Sequence, residues 1–169
     1  MKKLVCLLSI IALTFGCANA PVPEFSREAL TSKLTTLEGD KIKFKDIIKK
    51  HKGKTLVIEV WASWCSDCVK NMPNVKELQT AYPNADFVFL SCDKTPEAWV
   101  KGIEKHEIKG DHYLIPDGMK GAFGKAIDLN WIPRYIILDK NGKISLFKAI
   151  ETDHEQVNTL LTNLKTNEN

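Results

Sequence analysis

Residues Thr55-Leu-Val-Ile-Glu-Val-Trp61 run directly into Ala62-Ser-Trp-Cys65-Ser-Asp-Cys68. The first seven form a nearly continuous apolar, β-branched run behind Gly53-Lys54, the pattern of a strand covered on both faces in a mixed or parallel sheet. A helix is expected from about Ser66 to Ala81, kinked by Pro73. Cys65 then falls at a helix N-terminus, where unpaired N–H groups and the helix dipole favour a thiolate. The i, i+3 spacing puts Cys68 one turn further on the same face, within disulfide reach. A C-x-x-C pair can also be half of a zinc site. That needs a second ligand pair, and Cys92, His51, His106, His112 and His154 show no matching spacing. A purely structural disulfide is a third reading, weakened because so short a ring constrains the unfolded chain little.

Working outward, Leu34 to Phe44 carries Glu38-Gly39-Asp40 between partly alternating stretches and predicts a small hairpin. Asp46 to Lys52 reads as a helical turn with a solvated lysine face. Ala85 to Cys92 is a second buried strand, ending in a cysteine expected to act as a small buried hydrophobe. Thr95-Pro96 opens a helix with proline at its first position, and Asp117 to Ile127 predicts a weaker, glycine-interrupted helix. Asn141-Gly142 between the apolar runs 134–139 and 143–148 marks a β-hairpin. Thr152-x-x-Glu155 has the form of a capping box, followed by Val157, Leu160, Leu161 and Leu164 at amphipathic helical spacing. The order ββ, then β-α-β-α-(α)-β-β-α, predicts an α/β fold with a sheet of mixed direction.

Lys and Arg number 24 against 21 Asp and Glu, a formal +3, too small a bias to suggest nucleic acid as a partner. Met1-Lys2-Lys3, an apolar stretch from Leu4 to Phe15, and small residues to Ala20 have the layout of a secretory signal. Cleavage after Ala18-Asn19-Ala20 and cleavage before Cys17 as a lipoprotein both fit, so residues 1–20 are assigned as the signal, 21–26 as a linker and 27–169 as the folded domain. An exported, periplasmic protein is expected, either soluble or lipid-anchored through Cys17. Removing Lys2 and Lys3 leaves 22 basic against 21 acidic residues.

From about residue 26 to 165 the chain resembles the exported, often membrane-tethered TlpA/ResA-like thioredoxin family. The residues that carry the likeness are W-C-S-D-C, Pro73 five residues after Cys68, Trp131-Ile132-Pro133 before a strand, and Asp139-Lys-Asn-Gly-Lys143. The resemblance implies a thioredoxin-like fold, a central mixed β-sheet flanked by helices with an N-terminal β-hairpin extension. It implies a thiol-disulfide oxidoreductase with Cys65 as nucleophile and Cys68 as resolving thiol. It also implies a cis Pro133 whose neighbour Ile132 offers its backbone to a substrate, with Trp64 lining the site. Glu59 matches the buried carboxylate that thioredoxins place under the active site, and a desolvated acid there could exchange a proton with Cys68. Trp61 is assigned mostly to packing.

Three departures stand out. Ser66-Asp67 lies between the cysteines, with Asp67 opposing ionisation of Cys65. Arg134 follows the proline and could offset that charge. Asn71 occupies the position, three residues after the second cysteine, where ResA-like members often carry glutamate. The expected function is reduction of disulfides in other exported proteins, without an organic cofactor or metal and with re-reduction by a membrane electron carrier. The alternative weighed is a copper-binding chaperone of related fold using Cys65, Cys68 and a histidine, His106 or His112. A peroxiredoxin is rejected because Ala62 and Ile58 stand where it needs threonine and proline.

Overall fold

A computed structural model describes residues 23–166. The signal and lipidation assignments at residues 1–20 lie outside that range. Seven strands form one sheet: β1 (Lys33–Thr35), β2 (Lys41–Lys43), β3 (Leu56–Trp61), β4 (Asp86–Ser91), β5 (Asp111–Leu114), β6 (Arg134–Leu138) and β7 (Ile144–Ala149). Their spatial order is β2-β1-β5-β4-β3-β6-β7. The sheet is mixed: β3 pairs parallel with β4 and antiparallel with β6, and every residue of β3 is buried.

The helices are α1 (Arg27–Thr31), α2 (Phe44–Lys50), α3 (Ser66–Ala81), α4 (Pro96–His106), α5 (Ala122–Ala126) and α6 (His154–Thr166). The connections β3-α3-β4 and β4-α4-β5 link parallel neighbours in the same direction across the sheet, and right-handed crossovers put both helices on one face. On that face α6 meets the C-terminal end of α3, where the Tyr82 hydroxyl bonds to Asn158 and Thr162. Elsewhere the rings of Phe25, Phe44 and Phe123 meet edge-on and draw together the segment before α1, α2 and α5. Each such pair contributes roughly 0.5–1.5 kcal/mol beyond its area. Residues 23–26 carry no helix or strand, yet Phe25 packs onto this cluster and Ser26 caps α1.

Both predicted hairpins form. In the second, Asp139 Oδ1 accepts from the N–H groups of Asn141 and Lys143, and Gly142 takes the positive φ (82°) that the turn needs. Other details differ from the expectation. Strand β5 and helix α1 were not foreseen, and α2 begins at Phe44 rather than Asp46. The helix expected over 117–127 shrinks to α5. The stretch before it is a tight turn in which the Asp117 carboxylate accepts from the Ala122 N–H at 2.5 Å. Gly124 has no Cβ because one would stand 1.9 Å from the Met119 carbonyl oxygen. The capping box at Thr152 and Glu155 does not form. A short 3₁₀ turn, Glu151–Asp153, precedes α6, and the Asp153 carboxylate accepts from the Ile150 N–H at 2.9 Å. A carboxylate one residue after the threonine had taken the cap.

Candidate active site

Strand β3 ends at Trp61, and four residues later the chain enters α3 with Cys65 as its N-cap. Cys65 and Cys68 are joined as a disulfide with Cα atoms 5.3 Å apart. The Cys65 sulfur accepts from the Cys68 N–H at 3.1 Å, so the first turn of the helix places a donor on the atom that becomes a thiolate on reduction. Cys65 keeps 7% of its surface exposed and Cys68 none. Of the two sulfurs, a large partner can therefore reach only Cys65.

The loop before β6 faces Cys65. The Ile132–Pro133 peptide is cis, and the Ile132 carbonyl oxygen lies 3.6 Å from Cys65 Sγ. The Ile132 N–H donates to nothing among the described residues. Trp64 and Trp131 stand 59% and 49% exposed on the rim. With Met119 and Ile132 they line an open cleft of about 300 Å³ around Cys65. Trp131 is held by its Nε1–H, which donates to Glu151 at 3.2 Å. A larger cavity of about 460 Å³ opens at the far end of the sheet, where β4 and β5 begin. There Lys50, His51, Asp86 and Asp111 pair with one another and no cysteine is near.

Glu59 is 1% exposed, and neither carboxylate oxygen has a hydrogen-bond partner. Burial pushes its carboxyl up to about 8, and the Asn71 amide works weakly in the other direction. That amide instead donates to the hydroxyl of Tyr135, the residue opposite Glu59 in the β3–β6 register. Trp61, on the same face as Glu59, is fully buried against Gly102 of α4.

The charges expected to compete at Cys65 are placed differently from one another. Asp67 is half-buried and faces Lys70 at 4.0 Å, so solvent and a lysine screen it. Arg134 is buried, on the opposite face of the sheet from Glu59. Its guanidinium donates to the Asp128 carbonyl at 3.3 Å and to Asn130 Oδ1 at 2.5 Å. It therefore ties down the loop that carries Trp131 and Ile132 rather than reaching out to the thiolate as a free counter-charge. Burial lowers its pKa and Asp128 partly restores it.

One functional residue escaped the sequence reading. The buried carboxylate of Asp93 accepts from the Ser63 N–H at 3.1 Å, the Ser63 hydroxyl at 2.7 Å and the Ser91 hydroxyl at 2.8 Å. It clamps the loop two residues before Cys65 to the end of β4. The only signal was an acid directly after an apolar strand, in Phe89-Leu-Ser-Cys-Asp93. Cys92 is a buried free thiol whose pKa burial pushes up to about 12, with Asp93 and Asp117 adding to the rise. His112 stacks on Phe89 and bonds to the Ile108 carbonyl. Among the described residues no three His, Cys, Asp or Glu side chains gather as a metal-binding group.

The model of the family described as Redoxin matches residues 18–164. The chain belongs to the Redoxin family. It is a thiol-disulfide oxidoreductase with a thioredoxin-like fold, similar to the thiol-disulfide oxidoreductase ResA of Bacillus thuringiensis (strain Al Hakam). The two are 30% identical over 125 residues, covering 72% of this chain and 67% of that one. The soluble secreted antigen MPT53 of Mycobacterium tuberculosis (strain CDC 1551 / Oshkosh) is 24% identical over 82% of this redoxin and 76% of its own length. Among solved structures, a Bacteroides vulgatus protein assigned as a thiol-disulfide oxidoreductase superposes with a TM-score of 0.65 at 29% identity, over 89% of this chain and 93% of that one.

Proposed function

We propose that this redoxin reduces disulfides in other exported proteins. The carrying observation is the asymmetry of the cystine: Cys65 can be reached at a helix N-terminus beside a cis-proline loop, and Cys68 is enclosed behind it. In the reduced enzyme the Cys65 thiolate attacks one sulfur of a substrate disulfide. A Cys65–substrate bond forms and the other substrate sulfur leaves as a thiolate. Cys68 then loses its proton to Glu59 and attacks Cys65 Sγ. That step closes the Cys65–Cys68 bond and releases the second substrate thiolate. Two electrons have passed to the substrate, so an electron carrier at the membrane must return two to the enzyme.

Trp64 and the cis Pro133 loop support the approach of an extended substrate segment, which the unpaired Ile132 N–H can hold as a short strand would. Export is supported by the secretory layout of residues 1–20 and by the similarity to a secreted antigen. Within the described residues no helix is long and apolar enough to cross a membrane. A lipid at Cys17 would supply attachment to a membrane.

The test is replacement of Cys68 by Ala in the exporting cell. Substrates trapped on Cys65 as mixed disulfides, visible as reducible adducts, are the expected result. No adducts, together with no insulin-reducing activity in the parent protein, would sink the proposal.

A further inference from the structure

Attack by Cys65 Sγ brings a substrate cysteine into the cleft around it, so the side chains near that cysteine meet the cleft walls. Three large apolar side chains stand exposed among the described residues, Leu37, Trp64 and Trp131, and the two indoles both line this cleft. The polar side chains of the lining face partners of their own. Ser66 donates to Asp67 at 3.4 Å, Asp67 faces Lys70 at 4.0 Å, and Asn130 Oδ1 accepts from Arg134 at 2.5 Å. The surface left for a guest is therefore mostly the two indole rings, with Met119 and Ile132.

Trp131 sits on a segment tied from three elements. The Arg134 guanidinium of β6 donates to the Asp128 carbonyl and to Asn130, and Lys148 of β7 pairs with the Asp128 carboxylate. From the 3₁₀ turn, Glu151 accepts from the Trp131 Nε1–H at 3.2 Å. An indole that is already ordered gives up little conformational freedom when a guest packs on it. A guest segment paired with the free Ile132 N–H runs as a strand. In a strand the residue two positions from the cysteine points to the same face, about 6.8 Å along. Main-chain bonds of that kind hold any sequence, and the walls met by same-face side chains select among them.

We propose that Trp131 is a specificity-determining residue, positioned by Glu151, and that it selects substrates carrying a large apolar side chain two residues from the reacting cysteine. The inference rests on the reduction of protein disulfides proposed above and names the chemical class of the substrates. The probes are symmetric disulfide dimers of two short peptides. One has phenylalanine at both positions two residues from its cysteine, and the other has serine there. Symmetry makes attack on either sulfur equivalent. Each dimer is cleaved to two peptide thiols as the Cys65–Cys68 bond forms, so two electrons pass from the reduced protein to the probe. The phenylalanine dimer should react about tenfold faster than the serine dimer, the step expected of one aromatic anchor at an interface.

The readout is the ratio of the two rates within one protein. Trp131→Ala should bring it to within about twofold of unity. Glu151→Ala should lower it about threefold, the effect of one exposed hydrogen bond. Glu151→Gln, whose amide oxygen still accepts from the indole, should restore it. Adding Glu151→Ala to Trp131→Ala should change nothing further, because Glu151 acts through the indole. A merely structural role would lower both rates together and leave their ratio alone. A preference that survives in Trp131→Ala overturns the proposal, and so does a Glu151→Gln ratio as low as that of Glu151→Ala. If Trp131→Ala does not fold, the parent ratio and the Glu151 variants decide alone. A parent protein that reduces neither dimer fails the reductase reading and this inference with it. One that reduces both at equal rates fails the inference alone.

Discussion

Two carboxylates are buried within one strand of each other, and the fold treats them in opposite ways. Asp93, just past β4, accepts hydrogen bonds from the backbone and side chain of Ser63 and from the side chain of Ser91. Glu59, inside β3, accepts none. A buried carboxylate with several donors is a structural tie, because its charge is compensated by fixed dipoles. A buried carboxyl with none is held at a cost of several kcal/mol unless it keeps its proton. The contrast assigns the work. Asp93 fixes the Cys65 loop in place, and Glu59, buried in β3 with no partner, is left free to change its charge.

The largest separation between the two is expected in turnover. Glu59→Gln should slow release of the mixed disulfide by roughly 10²-fold at pH 7–8, the low end of what a positioned base contributes. The same variant should be more stable than the parent. Glu59 titrates near 4.5 when unfolded and at about 8 when folded, so only the folded state binds this proton in between. The stabilisation it gives is complete below pH 4.5 and is lost as pH rises to about 8, at roughly 1.4 kcal/mol for each pH unit. Urea unfolding of the oxidised protein at pH 5 and pH 8 should therefore show the parent losing stability from this group and Glu59→Gln escaping the loss. A variant that is slower, yet no more stable at pH 8, would show that Glu59 is a satisfied core residue after all.

Asp93→Asn comes next and should reverse the pattern. The amide puts donors where Ser63 and Ser91 already donate, leaving buried N–H and O–H groups unpaired. A loss of roughly 2–3 kcal/mol is expected from urea unfolding. Disulfide exchange should change by less than tenfold once the variant is folded, because no proton passes through Asp93. An Asp93→Asn protein as stable as its parent would remove the distinction between the two acids.

The two acids were also unequally legible in the sequence. Glu59 could be placed because it stands six residues before Cys65, where the family resemblance puts a buried carboxylate, inside a run that reads as a strand covered on both faces. The C-x-x-C helix, the Asn-Gly hairpin and the mixed sheet were readable for the same reason: their signals are local. Asp93 finds its donor in a serine 30 residues earlier, and Asn71 meets Tyr135 across 64 residues, pairings that no periodicity encodes. Strand β5 escaped likewise. Asp111-His-Tyr-Leu114 is short and half polar, and its parallel register with β4 decides its burial. Arg134 was seen as a charge near the site, but its sequence position could not show that the guanidinium turns inward to Asp128 and Asn130.

Cys92 lies next to Asp93, and it should give the smallest effect. Its thiol is buried and its pKa is raised to about 12, by burial first and by Asp93 and Asp117 after it. At pH 8 the thiolate fraction is then on the order of 10⁻⁴, too small for exchange chemistry to compete with Cys65. Cys92→Ala should leave insulin reduction within twofold of the parent. It should cost about 1 kcal/mol or less, because a small group is removed from a packed strand end. Iodoacetamide applied to the reduced, folded protein at pH 8 should label Cys65 and spare Cys92 until urea is added. Rapid labelling of Cys92 in the native state would mean that the strand end opens. It would also mean that the Asp93 tie is weaker than its hydrogen bonds indicate, which would blur the contrast with Glu59.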